Sequence, residues 1–228
     1  MFLSAFATSL SGKSVLNRPV IPAKMEMTVF LPHHFKESAM LSLTPRQQLT
    51  IGVALALLMA LTRSHHWATL HALPDASWAV FFLAGVYLRA FWMAPALMLG
   101  AALVDYLAIT WGGVSSFCVS PAYWLLIPAY GALFLAGRVY VRHHRLSWSA
   151  LPWLMGSALA GAMLAELFSS GGFYFFSGRF AEPALGEFIP RLVKYFPPML
   201  LTLVTYLGLA AVIHVAVASL RGDAQHTA

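Results

Sequence analysis

From residue 40 onward the chain is a row of apolar windows, each bounded by charge, and that pattern leaves few folds open to it. A helix needs about 20 residues, at ~1.5 Å rise each, to cross the hydrocarbon core of a bilayer. The windows run over residues 47–67, 76–89, 91–110, 121–137, 148–168 and 194–220, the second being short. Trp111-Gly-Gly ends the third, a run of Ser169-Ser-Gly-Gly172 is expected to break the fifth, and Pro197-Pro198 fall in the first turns of the last. The expected fold class is an all-α integral membrane protein with six transmembrane helices. Charged residues are only 10% of the chain and hydrophobic ones 60%, whereas soluble domains carry about 25% charged residues. A typical soluble enzyme, a disordered tail protein and a polar repeat array are therefore excluded. The single cysteine removes a disulfide framework, a Cys-x-x-Cys pair and a structural zinc site. The net charge of +6 does not point to nucleic acid, because the basic residues sit between apolar stretches. The expected partner is the lipid bilayer.

Residues 1–39 differ from the rest: Lys13, Arg18, Lys24, Glu26, Lys36 and Glu37 are scattered among prolines, with no window long enough to span. They are expected to be a disordered cytoplasmic tail or a mis-assigned start, with Met40 directly before the first apolar run. Residues 40–228 form the membrane domain. Lys and Arg set its orientation. With the N-terminus inside, the inner segments hold Lys36, Arg46, Arg89, Arg138, Arg142, Arg145 and Arg221, against Arg63, Arg179, Arg191 and Lys194 outside. The expected topology is N-in/C-in, and the segment from Arg138 to Arg145, read as a loop, is its strongest marker.

That topology gathers the unusual polar groups at one outward-facing mouth. Arg63, His65 and His66 lie at the outer end of the first window, and Asp105 lies in the outer third of the third. Cys118 is in the next outer loop, Tyr123 opens the fourth window, Glu166 is near the outer end of the fifth, and Arg191 and Lys194 open the sixth. This is the layout of a binding cavity open to the outside. Abundant aromatics near the mouth, from Trp67 to Phe176, fit an interfacial belt and would also wall a large flat ligand.

The individual residues leave alternatives open. Cys118 is either an inert small hydrophobe or, on an oxidising side, a nucleophile and soft metal ligand. One thiol holds no bare metal ion, but it can give one axial bond to a metal already held in a macrocycle. A carboxylate such as Asp105 in hydrocarbon costs roughly 2.5–3.5 kcal/mol on insertion scales, so it either pairs with an arginine or serves a site. Glu166 reads as an interfacial, solvated group. His65 and His66 read as interfacial histidines made notable by their neighbours. His214 has no second histidine in another inner segment, which argues against a bis-histidine haem site. There is no Gly-x-x-x-x-Gly-Lys-Ser/Thr loop, so no ATP site of that kind, and no His-Glu-x-x-His or Gly-x-Ser-x-Gly motif.

Four segments carry a family resemblance: Leu61-Thr-Arg-Ser-His-His-Trp67, Leu73-Pro-Asp-Ala-Ser-Trp-Ala-Val-Phe-Phe-Leu-Ala-Gly85, Val104-Asp-Tyr106, and most tellingly Trp111-Gly-Gly-Val-Ser-Ser-Phe-Cys-Val-Ser-Pro-Ala-Tyr123. With them, residues 43–220 resemble the BtuM family of small vitamin B12 transporters of Gram-negative bacteria, relatives of the substrate-binding S-components of energy-coupling factor (ECF) transporters. The resemblance implies an S-component-like six-helix bundle in the inner membrane, taking up cobalamin from the periplasmic side. It implies Cys118 as axial ligand to the corrin cobalt, displacing cyanide, and His66, Asp105, Tyr123 and Arg191 as substrate-binding residues. Cobalt favours a soft, strong donor, and the corrin already fills its equatorial positions. Two neighbouring readings stay open: a membrane enzyme whose main task is decyanation, and an S-component that needs an ECF energising module. The small-residue spacing of Ala56 and Ala60 resembles the docking motif of such components.

Overall fold

The computed structural model describes residues 43–63, 73–143 and 148–226, and they are all helix and connecting turns, with no strand among them. The helices are α1 (Pro45–Arg63), α2 (Ser77–Tyr87), α3 (Met93–Thr110), α4 (Leu126–His143), α5 (Leu151–Glu166), α6 (Gly172–Phe176) and α7 (Leu185–His226). Short 3-10 turns stand at Ser116–Cys118, Pro121–Leu125 and Trp148–Ala150, and a π-helical turn, Leu167–Gly171, joins α5 to α6. Among the described residues four helical stretches are long and apolar enough to cross a membrane: Met93–Thr110, Pro121–His143, Leu151–Phe176 and Leu185–Ser219. The protein has the character of a multi-pass membrane protein. α1 is 19 residues long but polar at both ends, and α2 has only 11 residues.

The bundle is built around α2. Every residue from Ser77 to Val86 is buried, as expected of a helix that is apolar on all sides. α1, α3, α4, α5 and α7 all pack on it. The tightest crossing is with α4 and is made by two glycines facing opposite ways. A Cβ on Gly85 would run into the Phe134 carbonyl oxygen, and a Cβ on Gly137 would run into the Phe82 carbonyl oxygen. Backbone therefore lies on backbone, the mode of approach that small residues permit between membrane helices. Phe81 stacks on Tyr130 at 4.2 Å beside this crossing.

Three boundaries differ from those expected. First, α4 runs on through Arg138 and Arg142 to His143, so this stretch is helix and not loop. Arg138 is only 6% exposed, bonds the Arg89 carbonyl, and lies over the rings of Phe91 and Phe134. Its charge packs inside the bundle against these rings instead of standing in a loop. Second, Ser169-Ser-Gly-Gly172 does not break the helix. The chain widens into the π turn and continues to Phe176. In hydrocarbon no water can satisfy freed backbone groups, so the helix continues, and Ser169 adds a bond to the Ala165 carbonyl at 2.7 Å. Third, the last helix begins at Leu185 and carries Pro190, Pro197 and Pro198 inside it, so Arg191 and Lys194 lie within its first turns instead of opening it.

Candidate functional site

The sharpest local geometry is at the top of α3. Trp111 donates to the Leu107 carbonyl, and Gly113 then takes φ of +69, a left-handed conformation that glycine adopts without strain. Val114 N–H turns back to the Ala108 carbonyl at 3.2 Å. This reversal leads into the Ser116–Cys118 turn, capped by the Ser115 hydroxyl accepting from Phe117 N–H at 3.2 Å. Pro121 then starts the 3-10 turn that brings Tyr123 and runs into α4.

Beneath that loop is a cavity of about 780 Å³. Its polar lining includes Arg63, Asp105, Tyr123, Glu166 and Arg191, contributed by α1, α3, the turn before α4, α5 and α7. Three of the expected substrate-binding residues, Asp105, Tyr123 and Arg191, are thus on one cavity. Phe117 and Val119, the chain neighbours of Cys118, line it as well. The Cys118 side chain and all of His66 lie outside the described residues.

Asp105 is held by an arginine. Arg63 grips it with two parallel bonds, Nε to Oδ1 at 2.6 Å and Nη2 to Oδ2 at 2.8 Å. Tyr123 Oη donates to Oδ2 at 2.7 Å. Arg63 Nη1 reaches Ser77 Oγ at 2.9 Å and Tyr130 Oη at 2.6 Å, and Asp75 Oδ1 accepts from the Ser77 hydroxyl and amide at 2.6 and 2.9 Å. One network thus ties α1, α2, α3, α4 and the 3-10 turn before α4 together at the cavity wall. The Arg63 side chain is 9% exposed and that of Asp105 25%. A bidentate, desolvated pair of this kind is stronger than a surface ion pair. With both oxygens engaged, Asp105 positions its neighbours more than it meets a ligand. Tyr123 has spent its only proton on Asp105, so its oxygen faces a ligand as an acceptor.

The opposite wall is aromatic. Phe117, Phe173, Tyr174, Phe180 and Phe188 line it; Phe173 meets Phe180 edge to face at 6.1 Å and 88°, and Tyr174 stacks on Phe188 at 5.6 Å. Arg191 lies over Tyr174 and Phe180, with centroid distances of 5.2 and 4.8 Å, and Arg179 lies over Phe117 at 5.0 Å. These contacts keep the cations at the rim by cation–π attraction. Among the described residues no three His, Cys, Asp or Glu side chains come together as ligands for a bare metal ion.

Arg63 is the arginine that Asp105 pairs with, while nothing in the sequence pattern marks Ser77 or Tyr130 as the further partners of that arginine. Tyr130 in particular lies in an apolar run with nothing local to mark it, and its hydroxyl finds its use only across 67 residues of chain. Ala56 is half-buried and packs against the core. The outer face of α1 is formed instead by residues such as Val53, Leu57 and Leu61, all exposed.

No family model matches the chain, and no curated protein matches it.

Proposed function

We propose that this protein captures cobalamin at the outer face of a bacterial inner membrane and carries it inward. In this reading Cys118 is the axial cobalt ligand. The observation that carries the proposal is the convergence of Arg63, Asp105, Tyr123 and Arg191 on one aromatic-walled cavity whose roof is the Cys118 loop. A cavity of about 780 Å³ falls in the usual range for small-molecule sites, and it takes the corrin ring rather than the whole of cobalamin. Corrins are flat, apolar over their faces and rimmed by amides. An aromatic wall and a few fixed polar groups match those features. The Tyr123 oxygen accepts an amide N–H, and Arg191 donates to an amide carbonyl. The thiolate attacks no carbon here: it replaces cyanide on cobalt(III), cyanide leaves as the anion and takes up a proton, and no electron changes hands. The resemblance to BtuM supplies the identity of the ligand, and His66 completes the expected set.

The test is optical. Wild-type protein purified with cyanocobalamin is expected to show a shifted cobalt spectrum that Cys118→Ala lacks. Identical spectra for the two would sink cobalt ligation by Cys118.

We further propose six crossings with both termini inside. α2 makes the shortest of them within the shield of its neighbours, and Arg46, Arg89, Arg142, Arg145 and Arg221 bias the inner face. A phosphatase fused after Ala228 is expected to be inactive, since that enzyme works only outside. An active fusion would reverse the topology. Energy for release comes from outside this chain, either from trapping of the ligand inside or from an ECF-type module.

A further inference from the structure

We propose that Glu166 is a ligand-reading residue of this cavity, accepting an N–H from a primary amide on the edge of the bound molecule. This rests on the corrinoid reading of the cavity given above. Glu166 is 2% exposed, lines the cavity, and its Oε1 has no hydrogen-bond partner among the described residues. Ser170 stands beside it on the cavity wall. One oxygen of this buried side chain is therefore left without a donor. Buried polar atoms are nearly always satisfied, and a carboxyl left short of a donor in apolar surroundings is costly. A fold keeps such a group where something else supplies the donor.

The local backbone points the same way. Glu166 is the last residue of α5 before the π-helical turn Leu167–Gly171. Single π turns inside α-helices are over-represented at functional sites. Here the turn brings Ser169 and Ser170 onto the cavity wall together with Glu166. The same cavity offers the Tyr123 oxygen as a second acceptor and Arg191 as a donor. Two acceptors and a donor around one cavity suit a ligand whose rim carries several amides, each with N–H groups and a carbonyl.

Two ligands separate this role from a structural one: dicyanocobinamide, rimmed by amides, and the dicyano heptamethyl ester of cobyrinic acid, whose rim carries no N–H. Binding is read by tryptophan fluorescence in detergent, and thermal stability is measured on the empty proteins. Glu166→Ala is expected to weaken dicyanocobinamide about tenfold while changing the affinity for the ester less than about twofold. Glu166→Gln, which keeps a carbonyl acceptor, is expected to stay within about threefold of wild type. Glu166→Met is expected to leave the empty protein at least as stable as wild type, because it removes an unpartnered polar atom. Equal losses for the two ligands, or no loss for either, would overturn the amide role. A drop in stability of the empty Glu166→Met protein would mark Glu166 as structural and overturn it too. If wild-type protein binds neither ligand, the corrinoid reading itself fails, and the stability measurement still judges whether Glu166 is structural.

Discussion

Replacing Gly137 with alanine is expected to cost this protein about 3 kcal/mol or more, at the upper end for an overpacked core. The new methyl group meets the Phe82 carbonyl oxygen of α2, which is main chain and has no rotamer into which to retreat. Gly85→Ala collides with the Phe134 carbonyl in the mirror-image position and is expected to do the same. The control lies on the same helix. Gly131, also in α4, has open space where its Cβ would go. Gly131→Ala is therefore expected to be neutral or to stabilise by up to about 1 kcal/mol, through helix propensity. Thermal unfolding in detergent, followed by size-exclusion chromatography, reads the three variants side by side. If Gly131→Ala and Gly137→Ala behave alike, the close crossing of α2 and α4 is not what holds the bundle.

The second large effect is at the Arg63–Asp105 pair. Asp105→Ala leaves a guanidinium that is 9% exposed without its counter-charge, and breaking a buried pair from one side costs about 3–5 kcal/mol. Arg63→Met should cost a similar amount for the mirror reason. The double variant Arg63→Met/Asp105→Leu is expected to recover much of the lost stability, since it removes both charges and both desolvation penalties. A double-mutant cycle measures the coupling directly. Additive losses would show that the two residues do not act as a pair. Tyr123→Phe, which deletes only one donor to Asp105, is expected to cost nearer 1 kcal/mol. The double variant has a further use. Stable protein without ligand binding would make the network part of recognition, and stable protein with intact binding would make it scaffold only.

What could be read from the sequence, and what could not, follows the range of the forces involved. Apolar windows report a local property, so the helices fall close to where hydropathy puts them. The third window, expected over 91–110, is Met93–Thr110. Expectation and structure part where a rule that holds in water meets an apolar helix. Ser and Gly at 169–172 favour ends and turns when water can take over the backbone, but here they carry a π turn into α6. Arg138 looked like a loop charge because its partners, the Arg89 carbonyl and the rings of Phe91 and Phe134, are defined only by packing. A carboxylate such as Asp105 in an apolar helix is either paired or functional, and the contact to Arg63 across 42 residues of chain decides for the arginine clamp. Position in the chain puts Glu166 near a helix end and suggests solvent, yet its neighbours leave it only 2% exposed.

The complete enclosure of α2 also bears on how such a chain is made. With 11 residues it spans only about half of a bilayer's hydrocarbon, and its whole surface is reserved for other helices. Emerging from a ribosome, it has no lipid-facing side to keep. Its closest partner, α4, is synthesised some forty residues later. The enclosure of α2 is therefore completed only once α4 has been made. Assembly of this protein would then be a matter of delay, with a late helix deciding whether an early one stays in the membrane at all.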